Sequence, residues 1–109
     1  MTTIIVKKTE NGNYKGFTCT GHAGFAGKGR DIVCAAVSAL VITTINSMEE
    51  LADENMETTT REKTGFIDCR FLGDLSDKGK LLMDSMVLGL TGIEKQYGGR
   101  YLMLKFEEV

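Results

Sequence analysis

The chain has 109 residues, the size of one domain, and we expect residues 1–109 to form a single domain. Hydrophobic residues make up 42% of it and charged residues 26%, as in ordinary folded proteins. The net charge of -2 lacks the positive excess that nucleic-acid phosphates attract, so we expect no direct nucleic-acid binding. The N-terminal residues contain no run typical of a signal peptide or a membrane span, so we expect a cytoplasmic protein with no membrane association. With three cysteines, an odd number, we also expect free thiols.

The first half of the chain predicts a hairpin followed by a helix. Residues 3–8 and 13–20 are β-rich runs joined around Asn11-Gly12-Asn13, a good turn sequence. From Asp31, a good N-cap residue, to about Leu51 the apolar side chains recur at helical spacing. They are Val33, Val37, Leu40, Val41, Ile45, Met48 and Leu51.

The second half repeats this pattern. Residues 57–63 and 65–72 form a second candidate hairpin, in which Ile67, Cys69 and Phe71 alternate with polar or aromatic neighbours. A helix is predicted from Ser76-Asp77 to about Tyr97, ending at Gly98-Gly99, and a last strand over 100–106. The order β-β-α-β-β-α-β predicts an α+β fold, with a small antiparallel or mixed sheet of about five strands and two helices on one face.

The second predicted helix has apolar residues around most of its circumference, which indicates that it is covered on more than one side. Gly89 and Gly92 would let another backbone approach closely, either within the fold or across a dimer interface. The pattern leaves both a buried helix in a monomer and a homodimer open.

A candidate catalytic pair lies between the first hairpin and the first helix. Eleven residues separate His22, the only histidine, from Cys34. With Asp31 as N-cap, Cys34 occupies a position in the first turn where free N–H groups and the helix dipole stabilise a thiolate. The Asp31 carboxylate opposes this by repulsion, so we interpret it as a structural cap that could also orient His22.

Two neighbouring features could assist this pair. The intervening segment, glycine-rich from Gly21 to Gly29, is flexible enough to close over a bound chain. Ser38 lies one turn after Cys34 on the same helix face. Its hydroxyl could bond within the site, or its small size could serve packing against the sheet.

Three other functions fit parts of the same region less well. Gly24-Phe25-Ala26-Gly27 matches the Gly-x-x-Gly loop of a KH-type RNA-binding module, but here it would join a strand to a helix. The spacing of a phosphate-binding loop is not met. A zinc site would have enough potential ligands in Cys19, His22, Cys34 and Cys69, but the sequence contains no Cys-x-x-Cys knuckle. We therefore expect neither a metal nor a cofactor.

A resemblance to a known family supports the catalytic interpretation. Residues 19–26, Cys-Thr-Gly-His-Ala-Gly-Phe-Ala, and residues 29–40, Gly-Arg-Asp-Ile-Val-Cys-Ala-Ala-Val-Ser-Ala-Leu, closely resemble the ribosomal-processing cysteine proteases of the Prp family. The resemblance covers nearly the whole chain in size and in the order of elements. It implies a small α+β homodimer that removes a short N-terminal extension from a bacterial large-subunit ribosomal protein precursor.

The resemblance also assigns residues to roles. It places the nucleophile on Cys34 and the histidine on His22, with Gly21, Asp31 and Ser38 at the remaining motif positions. The resemblance also implies that residues 23–33 correspond to the family's mobile loop beside the active site. Within it we expect the flexible substrate loop to use Ala23, Gly24, Phe25, Gly27 and Gly29.

Overall fold

The structure of the protein, a computed structural model, describes residues 1–21 and 32–109. Its elements are β1 (Thr2–Lys8), β2 (Tyr14–Thr20), α1 (Ile32–Glu50), β3 (Met56–Arg61), a 3-10 turn (Glu62–Thr64), β4 (Phe66–Phe71), α2 (Asp77–Tyr97) and β5 (Leu102–Glu108). The predicted order β-β-α-β-β-α-β is confirmed, and both predicted hairpins form. The strand predicted over 57–63 ends earlier, at Arg61, because the chain turns at Glu62–Thr64.

The five strands form one mixed sheet in the order β3-β4-β2-β1-β5. The pairs β1–β2, β2–β4 and β3–β4 are antiparallel. β5 pairs in parallel with β1 from Thr2 opposite Leu102 to Lys8 opposite Glu108. Since β5 follows α2, the helix supplies the crossover connection that a parallel neighbour requires.

The core lies between one face of the sheet and the two helices. Alternation along the strands directs Ile4 and Val6 of β1, and Phe17 and Cys19 of β2, toward this layer. The helices meet the strands with buried residues of their own, which are Val33, Val37, Val41 and Met48 from α1 and Met83, Met86 and Leu90 from α2. Both helices therefore cover the same face, as predicted.

The ends of α2 show why the sequence located this helix well. The Ser76 hydroxyl accepts a hydrogen bond from the Gly79 N–H at 3.2 Å, which satisfies a free donor of the first turn. At the other end Gly98 adopts a positive φ of 83°, and its N–H donates to the Glu94 carbonyl oxygen. Both caps use residues within four positions of the helix end, so the local sequence suffices to specify them.

The expectation that α2 is covered on more than one side is not met in the single chain, because the outer side of the helix is exposed. Leu81 is 69% exposed and Leu88 75% exposed in the single chain. Gly89 does serve packing within the fold, because a Cβ there would lie 2.7 Å from Cδ2 of Leu40 on α1. Gly92 has open space where its side chain would be.

The helix α1 is long and apolar enough to cross a membrane by length and composition alone. One side of it carries Val33, Val37 and Val41 into the core, each at most 2% exposed. Helices at the centre of soluble folds commonly have this composition, because the side that meets the sheet must be apolar.

Candidate active site

A groove with a volume of about 630 Å³ runs between α1 and the sheet. Cys34, Ser38 and Gly21 all contribute to its lining, so the structure brings these three predicted site residues together. Cys34 is the third residue of α1 and is half-buried. Cys34 therefore lies in the first turn of the helix, as the sequence predicted, and its side chain lines the groove.

The other predicted site residues lie outside the described part of the chain. They are His22, Ala23, Gly24, Phe25, Gly27, Gly29 and Asp31. The pairing of His22 with Cys34, the cap at Asp31 and the loop over residues 23–31 therefore stay predictions. The expected mobile loop was too long at its end, because Ile32 and Val33 belong to α1 and Val33 is fully buried in the core. The Gly24–Gly27 segment of the KH-type alternative lies in the same undescribed part.

Gly21 has a conformational requirement in addition to its place in the motif. Its φ is 82°, in the region that favours glycine, at the point where the chain leaves β2. A Cβ there would lie 2.5 Å from the Met1 carbonyl oxygen. A larger residue would disturb the position from which His22 follows in sequence.

The two remaining cysteines are buried strand residues. Burial, with a smaller contribution from the charge of nearby Cys34, raises the pKa of Cys19 to about 11. Burial, with a smaller contribution from Asp68, raises the pKa of Cys69 to about 12. Cys69 lies 3.6 Å from the sulfur of Met56 and takes no part in the groove lining. Both thiols are thus held in their neutral form, unlike an activated nucleophile.

Metal binding finds no support among the residues that the structure describes. Within residues 1–21 and 32–109, no three His, Cys, Asp or Glu side chains converge as metal ligands. Cys19 and Cys34 share the groove, while Cys69 belongs to the core beneath it.

The far wall of the groove comes from β3, β4 and the turn between them, which the sequence had not assigned to the site. Thr58 and Thr60 face it from β3, and Gly65, Phe66 and Ile67 complete this wall. Ile42 and Ile45 oppose them from α1. The only sequence signal for this wall was the alternation along β4, which shows that one face points inward but not what it meets.

Among the described residues that line the groove, two carry charged side chains. Glu49 lines it near the C-terminal end of α1, fifteen residues beyond Cys34. Arg61 lines it from the end of β3, with its guanidinium 5.7 Å from the Phe66 ring centroid. The remaining lining is mainly apolar or hydroxyl-bearing, which suits an extended peptide whose main chain needs hydrogen bonds and whose side chains are largely apolar.

A half-buried thiol in the first turn of a helix, open to an apolar groove on a small α+β scaffold, is the arrangement of a cysteine protease. A family model described as "Cysteine protease Prp" matches residues 1–101, and the chain belongs to this family. The protein is therefore a cysteine protease, and the resemblance seen in the two sequence motifs is confirmed. This identification outweighs the KH-type alternative.

Relatives and solved structures agree with this assignment. The ribosomal processing cysteine protease Prp of Bacillus subtilis (strain 168) is 31% identical over 101 residues, covering 89% of this chain and 90% of the relative. Its namesake from Staphylococcus aureus (strain Mu50 / ATCC 700699) is 27% identical over 97 residues, covering 89% and 92%. The S. aureus protease in complex with a covalently linked product peptide has a TM-score of 0.92 at 25% identity, covering 98% of this chain and all of that one. A Streptococcus mutans protein has a TM-score of 0.82 at 28% identity, covering 100% and 96%.

Proposed function

We propose that this cysteine protease removes a short N-terminal extension from a bacterial large-subunit ribosomal protein precursor in the cytoplasm, using Cys34 and His22. The observation that carries the proposal is the position of Cys34, half-buried in the first turn of α1 at the wall of the groove. Support for the substrate comes from the relatives, which are named ribosomal processing proteases.

The dimensions of the groove suit a short extended segment. Cys34 and Glu49 both line it and are fifteen helical residues apart. At a rise of about 1.5 Å per residue this distance is about 22 Å, which corresponds to about six or seven residues of extended peptide at about 3.3 Å each. A flexible N-terminal extension can adopt this conformation, whereas the folded body of a ribosomal protein cannot enter.

The chemistry is acyl transfer through a thioester. The Cys34 thiolate attacks the scissile carbonyl carbon, and N–H groups at the start of α1 stabilise the oxyanion. Protonated His22 donates its proton to the leaving amine as the C–N bond breaks. Neutral His22 then takes a proton from water, which attacks the thioester and releases the carboxylate product and the free thiol. A Cys-His dyad suffices because a thiol needs less activation than a serine hydroxyl.

Mass spectrometry of a ribosomal protein precursor incubated with the protein tests this function. The wild type should release the extension, and Cys34→Ala and His22→Ala should each leave the precursor intact while retaining the wild-type melting temperature. Cys69→Ala serves as the control, since it removes a thiol outside the groove lining, and it should trim the precursor as the wild type does. Trimming that persists in Cys34→Ala would refute the assignment of the nucleophile.

We also infer that the protease acts as a homodimer through the outer side of α2. Leu81 and Leu88 lie seven residues apart and are both mostly exposed, so they form an apolar stripe on the helix surface. Gly92 extends the stripe with space for a close approach. Sedimentation velocity should show a dimer for the wild type and a monomer for Leu88→Asp, while Leu51→Asp, at an exposed leucine beyond the end of α1, should remain dimeric. A monomeric wild type would refute this inference.

A further inference from the structure

Thr2, the first residue of β1, has a buried hydroxyl without a hydrogen-bond partner in the described structure. The residue is 2% exposed, and its Oγ1 is the atom left unpaired. Its backbone N–H donates to the Tyr101 carbonyl oxygen at 3.0 Å, so the N–H of this residue has a partner while the hydroxyl has none. Burying a hydroxyl without a partner costs free energy, and such a group in a folded protein calls for an explanation.

A second buried threonine shows the usual outcome in this same protein. Thr44 on α1 is 6% exposed, and its hydroxyl donates to the Leu40 carbonyl oxygen at 2.8 Å. Thr44 lies outside the groove lining, whereas Thr2 contributes to it. The unpaired hydroxyl therefore occurs at the substrate groove, and the paired one occurs away from it.

Thr2 belongs to the end of the groove that holds the thiol. The β1–β2 register pairs Thr3 with Thr20, which brings Thr2 beside Gly21 at the end of β2. The Cβ that Gly21 lacks would lie 4.0 Å from the Thr2 Cα. Cys34 lines the same groove, so the hydroxyl, the end of β2 and the thiol border one cavity.

We propose that the Thr2 hydroxyl donates a hydrogen bond to a main-chain carbonyl oxygen of the peptide bound beside Cys34. This inference rests on the proposed protease function and adds a binding residue to it. Val37 and Cys19 line the same groove, and neither side chain carries a strong hydrogen-bond acceptor for the hydroxyl. A main-chain carbonyl is available at every residue of an extended peptide, so this contact holds the chain in place whatever its side chains are.

Thr2→Val and Thr2→Ser separate this role from a structural one. Valine keeps the shape and removes an unpaired hydroxyl, so Thr2→Val should melt at or above the wild-type temperature. In the same variant the affinity for a synthetic peptide spanning the extension and cleavage site should fall about 2- to 10-fold, the range that one hydrogen bond gives. We expect the KM of cleavage to rise by this factor at unchanged kcat, and Thr2→Ser to restore wild-type values.

Thr44→Val is the matched control. It removes a buried threonine hydroxyl that already has a partner, so it should lower the melting temperature and leave the KM unchanged. Affinity is measured by fluorescence anisotropy in a Cys34→Ala background, where the peptide stays intact.

Three results would overturn the assignment of Thr2. They are wild-type affinity in Thr2→Val, a Thr2→Ser variant as weak as Thr2→Val, and a clear fall in the melting temperature of Thr2→Val, which would place the hydroxyl's partner inside the protein. A wild type that cleaves the peptide while Thr2→Val behaves identically refutes the role of Thr2 alone. A wild type that neither binds nor cleaves the peptide refutes the proposed function and this inference together.

Discussion

Alkylation by iodoacetamide should distinguish Cys34 from the other two cysteines, because the thiolate is the reacting form. At pH 7.5 a thiol with an ordinary pKa of about 8.5 is about 10% ionised. With pKa values raised to about 11 and about 12, Cys19 and Cys69 are ionised to only ~0.03% and ~0.003% by the same relation. The greater nucleophilicity of a more basic thiolate recovers about half of each logarithmic difference, which leaves Cys19 ~20-fold and Cys69 ~50-fold slower than an ordinary thiol.

Burial slows these two thiols further, since Cys19 is 6% exposed and Cys69 1%, whereas Cys34 is half-buried. Peptide mapping by mass spectrometry at successive times should therefore show a fast phase at Cys34 and slow phases at Cys19 and Cys69. In Cys34→Ala the fast phase should disappear, and in denaturing guanidinium all three wild-type cysteines should label at similar rates. Equal rates in the folded protein would refute the reasoning from burial and pKa.

Three further predictions concern stability. Since folding raises the pKa of the Cys19 and Cys69 thiols, the unfolded chain ionises first, so the free energy of unfolding should fall as the pH rises from about 9 toward 11 to 12. Urea titrations should show a shallower decline for Cys69→Ala. Gly16→Ala places a Cβ 2.3 Å from the Cys69 carbonyl oxygen and should cost at least ~1–3 kcal/mol by urea unfolding, whereas Gly73→Ala, with open space, should cost little. Ser76→Ala should cost about 1 kcal/mol in thermal unfolding through the lost cap, and a neutral result would contradict the role of that hydroxyl; the exposed mid-helix Ser85→Ala should cost nothing.

The cap at Ser76 also makes hydrogen bonds to a residue distant in the sequence, which the sequence did not indicate. The Glu54 carboxylate accepts hydrogen bonds from the Ser76 N–H at 2.9 Å and from its hydroxyl at 2.5 Å. The serine was recognisable as a helix start from its neighbours alone. Its partner lies 22 positions earlier in the chain, and no local pattern connects the two residues.

The sequence by itself determined the order of the helices and strands and the position of Cys34 on the first helix. The turn at Gly12, the alternation along β4 and the caps at Ser76 and Gly98 depend on interactions within a few residues, so local chemistry specifies them. The placement of Cys34 in the first turn of α1 follows from the same local rules.

Only the tertiary structure decided what surrounds that thiol. Which distant strands pair decides that β5 lies parallel to β1. The same pairing decides that Thr58, Thr60 and Ile67 form a wall of the groove. Alternation shows that a strand has an inner face, but several sheet orders would bury that face equally well. Sequence periodicity likewise could not predict the exposure of Leu88 or the unpaired hydroxyl of Thr2. Each of these depends on which groups the folded chain brings next to the side chain.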